Sequence, residues 1–256
     1  MSQKLAIVAA LEREVAPFLK DQAWDTSVVR MGERKVCIHE REDVVITCGG
    51  IGAAAARAAA ETLYKHARGE LAGYISAGYA GALTPELRVG DVMQPRQVVT
   101  PDGTDCAAHG MKGTKGTGAS DGILVSAHNV AGAAAKRDLA IRHSAKAVDM
   151  EAHAVADFAR ARQLPCVVIK VISDEHDSDL PPVEQFIDAN GHFKSSSFAV
   201  HMIVRPWHWR RVIRLGRDTS VASRALCEAL REAIAAHARG ELYSNPLYNG
   251  TAGPAR

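Results

Sequence analysis

The stretch "PCVVIKVISDEHD", Pro165 to Asp177, begins as an almost unbroken apolar run and ends in Ser173, Asp174 and turn-forming polar residues. A strand with one wet face alternates apolar and polar residues. A run that is apolar throughout belongs to a strand covered on both faces, the habit of parallel sheets flanked by helices. Upstream, "AKAVDM" reads as a second short strand. It passes directly into "EAHAVADFARAR", whose Ala154, Val155 and Phe158 fall on one helical face. "LAIVAA" with "LEREVAPFLK" repeats the pattern near the N-terminus. "KVCIHE" and "DVVITC" read as strands joined by a polar turn at Arg41 and Glu42, and "GGIG" opens an alanine-rich helix to about His66. On that helix Arg57, Glu61 and Lys65 predict a solvent-facing salt-bridge line.

Alternation of this kind predicts an α/β fold: a single three-layer domain with a mostly parallel, mixed central sheet flanked by helices and a helical C-terminal segment. "GYISAGYAGAL" reads as a strand entering a glycine-rich loop. The segment 101–122 is rich in turn residues and small side chains, which predicts a mobile loop or loose hairpin. The domain is expected to span 1–240, with helix over 205–240, and 241–256 has the composition of a flexible tail.

The 256 residues are 47% hydrophobic and 23% charged, enough for one sizeable core, and the net charge of +2 gives no general argument for nucleic acid. The first apolar run is too short for a secretion signal, and no stretch reaches the length of a membrane span. Five scattered cysteines without a Cys-x-x-Cys pair fit free thiols in a reducing cytoplasm, and no Cys/His cluster has zinc spacing. A cytoplasmic protein without a metal is therefore expected.

In open α/β sheets ligands bind beyond the carboxyl ends of the strands. Glu151 follows the strand "AKAVDM", and Asp174 follows the strand "VVIKVIS". Each acid alone has an ordinary explanation, Glu151 in the favourable first turn of a helix and Asp174 as a turn former. Both at the same kind of strand end make a candidate site. Asp149 reads as a solvated acid, His109, His128 and His153 as surface or satisfied polar residues, and Tyr79 as either lining the site or packing beneath it.

These segments resemble the purine nucleoside phosphorylase and nucleosidase superfamily. "AVDMEAHAVA" is similar to its ribose-binding Met-Glu motif and "VIKVISDEHD" to the strand carrying its Ser-Asp acid. "AALEREV", "GGIGAAAA" and "SAGYAGALTPELRVGD" match further segments in the same order. The resemblance implies cleavage of a purine N-glycosidic bond, with release of adenine where the nucleoside is adenosine-type. It assigns Asp174 as the general acid at purine N7, oriented by Ser173 and kept protonated by an apolar strand end. Glu151 would hold the ribose hydroxyls and Met150 pack on the sugar, with Gly78 and Tyr79 beside the substrate.

No cofactor is implied, and the second substrate is water or phosphate. The phosphorylase arginine is missing where Ser76 and Tyr79 stand, whereas Glu14 matches the acid that positions water in methylthioadenosine/S-adenosylhomocysteine nucleosidases. The residues lean towards hydrolysis, although Arg13 could reach an anion.

The C-terminal third resembles hopanoid-associated phosphorylases, which implies a bulky 5′ substituent such as that of adenosylhopane. There "VRPWHWRRVIRLGR", Val204 to Arg217, would meet a lipid surface through its tryptophans and arginines, or else pack as an ordinary helix. A homo-oligomer is implied, a nucleic-acid partner is not. Two rival readings are an NAD-dependent oxidoreductase, from Gly50-x-Gly52-x-x-Ala55 with Glu70, and a nucleoside binder without catalysis.

Overall fold

The computed structural model describes residues 3–21, 23–108, 121–178, 184–186, 188, 191 and 209–242. In chain order its elements are β1 (Lys4–Ala9), α1 (Glu12–Lys20), β2 (Asp25–Met31), β3 (Arg34–Glu40), β4 (Val44–Cys48), α2 (Ala53–His66) and β5 (Leu71–Ala82). There follow β6 (Val92–Met93), β7 (Gln97–Val99), β8 (Asp105–Ala107), β9 (Ile123–Ser126), α3 (Ala133–His143), β10 (Ala147–Asp149), α4 (Ala152–Arg160), β11 (Cys166–Asp174) and α5 (Trp209–Ala238). The strands form one mixed sheet in the order β2-β3-β4-β1-β5-β10-β9-β7-β8, with β11 lying between β5 and β6.

All nine residues of β11 are buried, as its apolar run requires. Val168 and Ile172 point into the core beneath α2 and α4, where Val155 and Phe158 also pack. Val167, Ile169 and Val171 point into the opposite core against α1 and α5, with Phe18, Leu226 and Leu230. Each such side chain taken from water contributes about 1.5–3 kcal/mol, so the two faces together fix β11 as the spine of three layers. Lys170 sits in the middle of this strand, and its presence there is explained below by what surrounds it.

The sheet corrects one reading of the sequence. "GYISAGYAGAL" does not leave the sheet at its glycines; β5 runs through them for twelve residues. It pairs in parallel with β1 and β11, and its last two residues pair antiparallel with β10. The glycines thin the strand where neighbouring side chains must come close. The carboxyl ends of β10 and β11 lie on either side of the last residues of β5, and the candidate acids stand there.

Other expectations meet the coordinates in detail. Glu61 and Lys65 pair at 2.7 Å as expected, whereas Arg57 turns away to Asp157 of α4 at 3.0 Å. Part of 101–122 is hairpin, since β8 pairs with β7. Residues 109–120, which include His109, lie outside the described residues. All five cysteines are free. From Ala222 onward α5 packs Leu226, Leu230 and Ala233 into the core. Residues 204–208, the side chains of 209–215 and the tail 243–256 fall outside the description, so the lipid-surface reading rests there on sequence alone. No helix among the described residues is long and apolar enough to cross a membrane.

Candidate active site

Asp174 closes β11 at the point where β5 has Gly81. Its carboxyl group is buried, and Ser173 Oγ donates to Oδ1 at 2.8 Å. The expected apolar surroundings are not what it meets. Lys136 of α3, only 1% exposed, forms an ion pair with Oδ2 and donates to the Glu175 carbonyl at 2.6 Å. A Cβ on residue 81 would lie 2.9 Å from Asp174 Oδ2 and 3.1 Å from Lys136 Cε. Glycine is therefore what allows the pair to close over the strand.

About the seam between β10 and α4 a second cluster forms. Asp149 corrects the sequence reading: it is not a solvated acid but is buried. Its Oδ1 accepts from Ser126 Oγ at 2.5 Å, and its Oδ2 accepts from the backbone N–H of Glu151 at 3.2 Å and of Ala152 at 2.8 Å. Asp149 thus supplies the helix-capping oxygen, and the Glu151 side chain makes no capping bond to α4. Glu151 instead accepts from Gly52 N–H at 2.8 Å, across the sheet. That bond also occupies the turn where the dinucleotide reading needs a phosphate.

Lys170 reaches these acids from beneath, with Nζ 2.8 Å from Asp149 Oδ2 and 3.8 Å from Glu151 Oε2. Burial alone would push its pKa down, but Asp149, Glu151 and Glu14 together hold it above the ordinary lysine value. Glu14 completes the group from the first turn of α1. Its Oε2 accepts from the N–H groups of Ala10 and Leu11, both at 3.2 Å. Burial raises its pKa, against the opposing pull of Lys170. Burial likewise raises Glu151, to about 7, with Lys170 pulling down and Asp149 pushing up.

A cavity of about 180 Å³ is lined by Glu14, Tyr79, Met150, Glu151, Ser173 and Asp174 together, six side chains singled out from the sequence. Arg13, Lys136 and Asp149 share the wall. Gly78 lies under it rather than in it, at φ +149°, where a Cβ would stand 3.1 Å from Glu14 Oε2 and 3.5 Å from Lys170 Nζ. Tyr79 does both things expected of it. It faces the cavity while packing against the α1 and α5 core, and it donates from its hydroxyl to the Thr219 carbonyl at 3.1 Å. Ser76 is buried within β5 away from the cavity. A second cavity, of about 790 Å³, shares Ile51, Asn129, Val130 and Met150 with the first and extends past His128 and Arg34.

Sequence reasoning missed Lys136 and Lys170. Lys136 has no local signal, standing among alanines and charged residues in "AGAAAKRDLAIRH". Lys170 carried a usable signal, because a lysine inside a fully buried strand must have carboxylate partners. Among the described residues no group of His, Cys, Asp and Glu could hold a metal ion.

The site can hold a polar molecule between a Ser-Asp-Lys end and a carboxylate-rich end. Known proteins share this sequence pattern and this fold. A sequence model of the phosphorylase superfamily matches residues 4–131 and 114–201. The 5′-methylthioadenosine/S-adenosylhomocysteine nucleosidase from Neisseria meningitidis, solved with methylthio-immucillin-A, is 18% identical at a TM-score of 0.66, covering 91% of this chain and 98% of its own. A mutant MTAN from Helicobacter pylori, with 5′-methylthioadenosine in its active site, gives 17% and 0.63, covering 91% and 100%. The futalosine hydrolase of the same species gives 16% and 0.65, covering 91% and 99%. At these identities the likeness to the solved structures is one of fold.

Proposed function

Because the chain belongs to the phosphorylase superfamily, we propose that its cavity cleaves the N-glycosidic bond of a purine nucleoside of the adenosine type, releasing adenine, with water as the attacking group. The observation that carries this reading is the position of Glu14. A buried carboxyl whose oxygen is fixed by two backbone N–H groups faces the cavity beside Glu151. Burial raises its pKa, which makes it a stronger base towards water than an ordinary carboxylate. The same carboxylate, with Glu151 and Asp149 close by, repels a phosphate dianion. Arg13 is the feature on the other side of that balance.

The reaction builds positive charge on the ribose and negative charge on the base. Glu151 then lies near the developing cation while accepting hydrogen bonds from the ribose hydroxyls, which charge strengthens. Met150 packs against the sugar, and the Ser173, Asp174 and Lys136 end faces the leaving base. Opposite placement of the two clusters matches the opposite charges that develop.

A bulky 5′ substituent is supported by the second cavity, which meets the first at Met150 and gives such a group a way out. A lipid-linked nucleoside such as adenosylhopane, taken up at a membrane surface in hopanoid biosynthesis, is the candidate of that kind. Assembly as a homo-oligomer and a cytoplasmic location belong to the same proposal. The experiment is incubation with 5′-substituted adenosines, with and without phosphate. Free adenine with the free 5-substituted ribose, independent of phosphate, supports hydrolysis. A 5-substituted ribose 1-phosphate formed only with phosphate overturns the choice of water, and no adenine under either condition overturns the reading itself.

A further inference from the structure

We propose that Cys37 and Cys48 form a reversible redox couple, closed by a small-molecule disulfide into a cross-strand disulfide that displaces the turn after β4. Its effect on catalysis rests on the reading above; the bond itself does not. The ladder between β3 and β4 pairs Glu40 with Val45, His39 with Ile46 and Ile38 with Thr47. One step further in the same register Cys37 stands opposite Cys48, and Thr47 Oγ1 donates to the Cys37 carbonyl at 2.7 Å. Cys48 packs towards the core beneath α1 and α5, while Val36 and Ile38 point into the other core. Side chains alternate along a strand, so Cys37, between those two, shares the face of Cys48.

Exposure separates this pair from the other thiols. Cys106, Cys166 and Cys227 are buried, and a buried thiol is inert; Cys37 and Cys48 are both partly exposed. Opposite residues of an antiparallel pair have Cα atoms about 4.5–5.5 Å apart, inside the range of about 4.4–6.8 Å that a disulfide spans. Burial pushes the pKa of the Cys48 thiol up, and Glu14, Glu12 and Cys37 push it further. First attack therefore falls to Cys37. Its thiolate attacks one sulfur of glutathione disulfide and expels a glutathione thiolate, leaving a mixed disulfide. Cys48 then attacks the Cys37 sulfur and expels the second glutathione. The two thiol protons end on the two glutathiones, so two protein thiols are oxidised and one small disulfide is reduced.

The bond has something to move. Opposite Cβ atoms stand about 4.5–5.5 Å apart, whereas a disulfide holds them at about 3.5–4.5 Å, so closure draws Cys48 about 1 Å towards β3. Cys48 is the last residue of β4, and the N–H groups of Gly49 and Gly50 donate to the carbonyls of Ala9 and Ala10, both at 2.9 Å. The Ala10 N–H in turn holds Glu14 Oε2 at 3.2 Å, and the Gly52 N–H holds Glu151 at 2.8 Å. There is no slack at Gly49, where a Cβ would lie 2.6 Å from Ala59 Cβ. A shift at the root of this turn thus reaches two carboxylates of the cavity.

The test treats the wild type, Cys37→Ser and Cys48→Ala with glutathione disulfide and then with dithiothreitol. Trypsin releases the two cysteines on separate peptides, 36–41 and 42–57, which the disulfide joins. The treated wild type is expected to give the joined peptides and to fall from five titratable thiols to three. Amide hydrogen exchange over 49–52 is expected to speed up, and kcat/KM on 5′-methylthioadenosine to drop by about tenfold or more, since a misplacement of about 1 Å can cost about 10²-fold. Dithiothreitol is expected to restore all of these. Cys48→Ala should stop at a glutathione adduct on peptide 36–41, and Cys37→Ser should keep its untreated kcat/KM.

A treated wild type without joined peptides, or one that stops at the adduct, overturns the inference. Joined peptides with unchanged exchange over 49–52 overturn it too, as does unchanged kcat/KM in an oxidised enzyme that is active when reduced. An equal loss of rate in treated Cys37→Ser also overturns it, because other thiols are then responsible. If either variant fails to fold, the wild-type peptide map and exchange decide the matter. A reduced enzyme that cleaves no nucleoside defeats the nucleosidase reading alone, and the same two measurements still decide the couple.

Discussion

Replacing Lys170 by methionine keeps the length of the side chain and removes the ammonium from beneath three acids. The wild-type distances set the scale of the loss. With Nζ 2.8 Å from Asp149 and 3.8 Å from Glu151, Coulomb's law at an effective dielectric of about 20 gives roughly 6 and 4 kcal/mol of attraction. Desolvating the lysine offsets several of these, since the Lys170 side chain is 1% exposed and that of Asp149 is 0% exposed. A net destabilisation of about 3–5 kcal/mol is expected for the variant at pH 8, the usual cost of leaving buried charge uncompensated. The loss must also depend on pH. Lys170 pulls the Glu151 pKa down, so without it that pKa rises further above its unfolded value of about 4, and the folded protein holds a proton that the unfolded chain releases. Stability then falls as pH rises through that window, and the gap between variant and wild type narrows as pH falls towards 5. Urea unfolding followed by circular dichroism at pH 8 and pH 5.5 measures both quantities. A loss below about 1 kcal/mol at pH 8, or one undiminished at pH 5.5, refutes the cluster as described.

Three further outcomes are expected. Glu151→Gln should weaken substrate binding and turnover together, and the wild type should act poorly on 2′-deoxynucleosides; equal rates on ribo- and deoxyribonucleosides would remove Glu151 from the sugar. Since burial raises the Glu151 pKa to about 7, the charged form that grips the diol disappears below neutrality, and KM for the nucleoside should rise as pH falls from 8 to 5.5. A KM flat over that range contradicts the assignment. Gly81→Ala puts a Cβ 2.9 Å from Asp174 Oδ2, at the end of a side chain that can move, so thermal stability should change little while turnover drops by about tenfold or more. A large loss of stability with unchanged specific activity would show that the gap serves packing only.

The parts legible in the sequence were those carried by periodicity. The unbroken apolar run of β11, the strand–helix seam at Glu151 and the alanine-rich face of α2 each follow from local pattern, and they suffice for a three-layer sheet with acids at its strand ends. What stayed hidden depended on pairing between distant segments. The twelve-residue course of β5 looked like a strand ending at its glycines, because glycine normally weakens a strand; here its neighbours on β10 and β11 hold it straight. Lys136 and Asp174 are 38 residues apart, and nothing in either neighbourhood announces the other. Asp149 was misread for the same reason, since its partner Lys170 lies 21 positions on, in another strand.

The two acids of "DME" show how a short segment divides its labour. A helix start needs an acceptor for its first N–H groups. Had Glu151 filled that need, its carboxylate would have turned back on its own backbone and left the cavity. Asp149, shorter and two residues earlier at the end of β10, reaches forward to the N–H groups of Glu151 and Ala152 and so meets the need from inside the sheet. The cap is affordable in the buried layer only because Lys170 neutralises it from below. The lysine that appears to violate an apolar strand is thus what lets one carboxylate serve the fold while its neighbour faces the ligand.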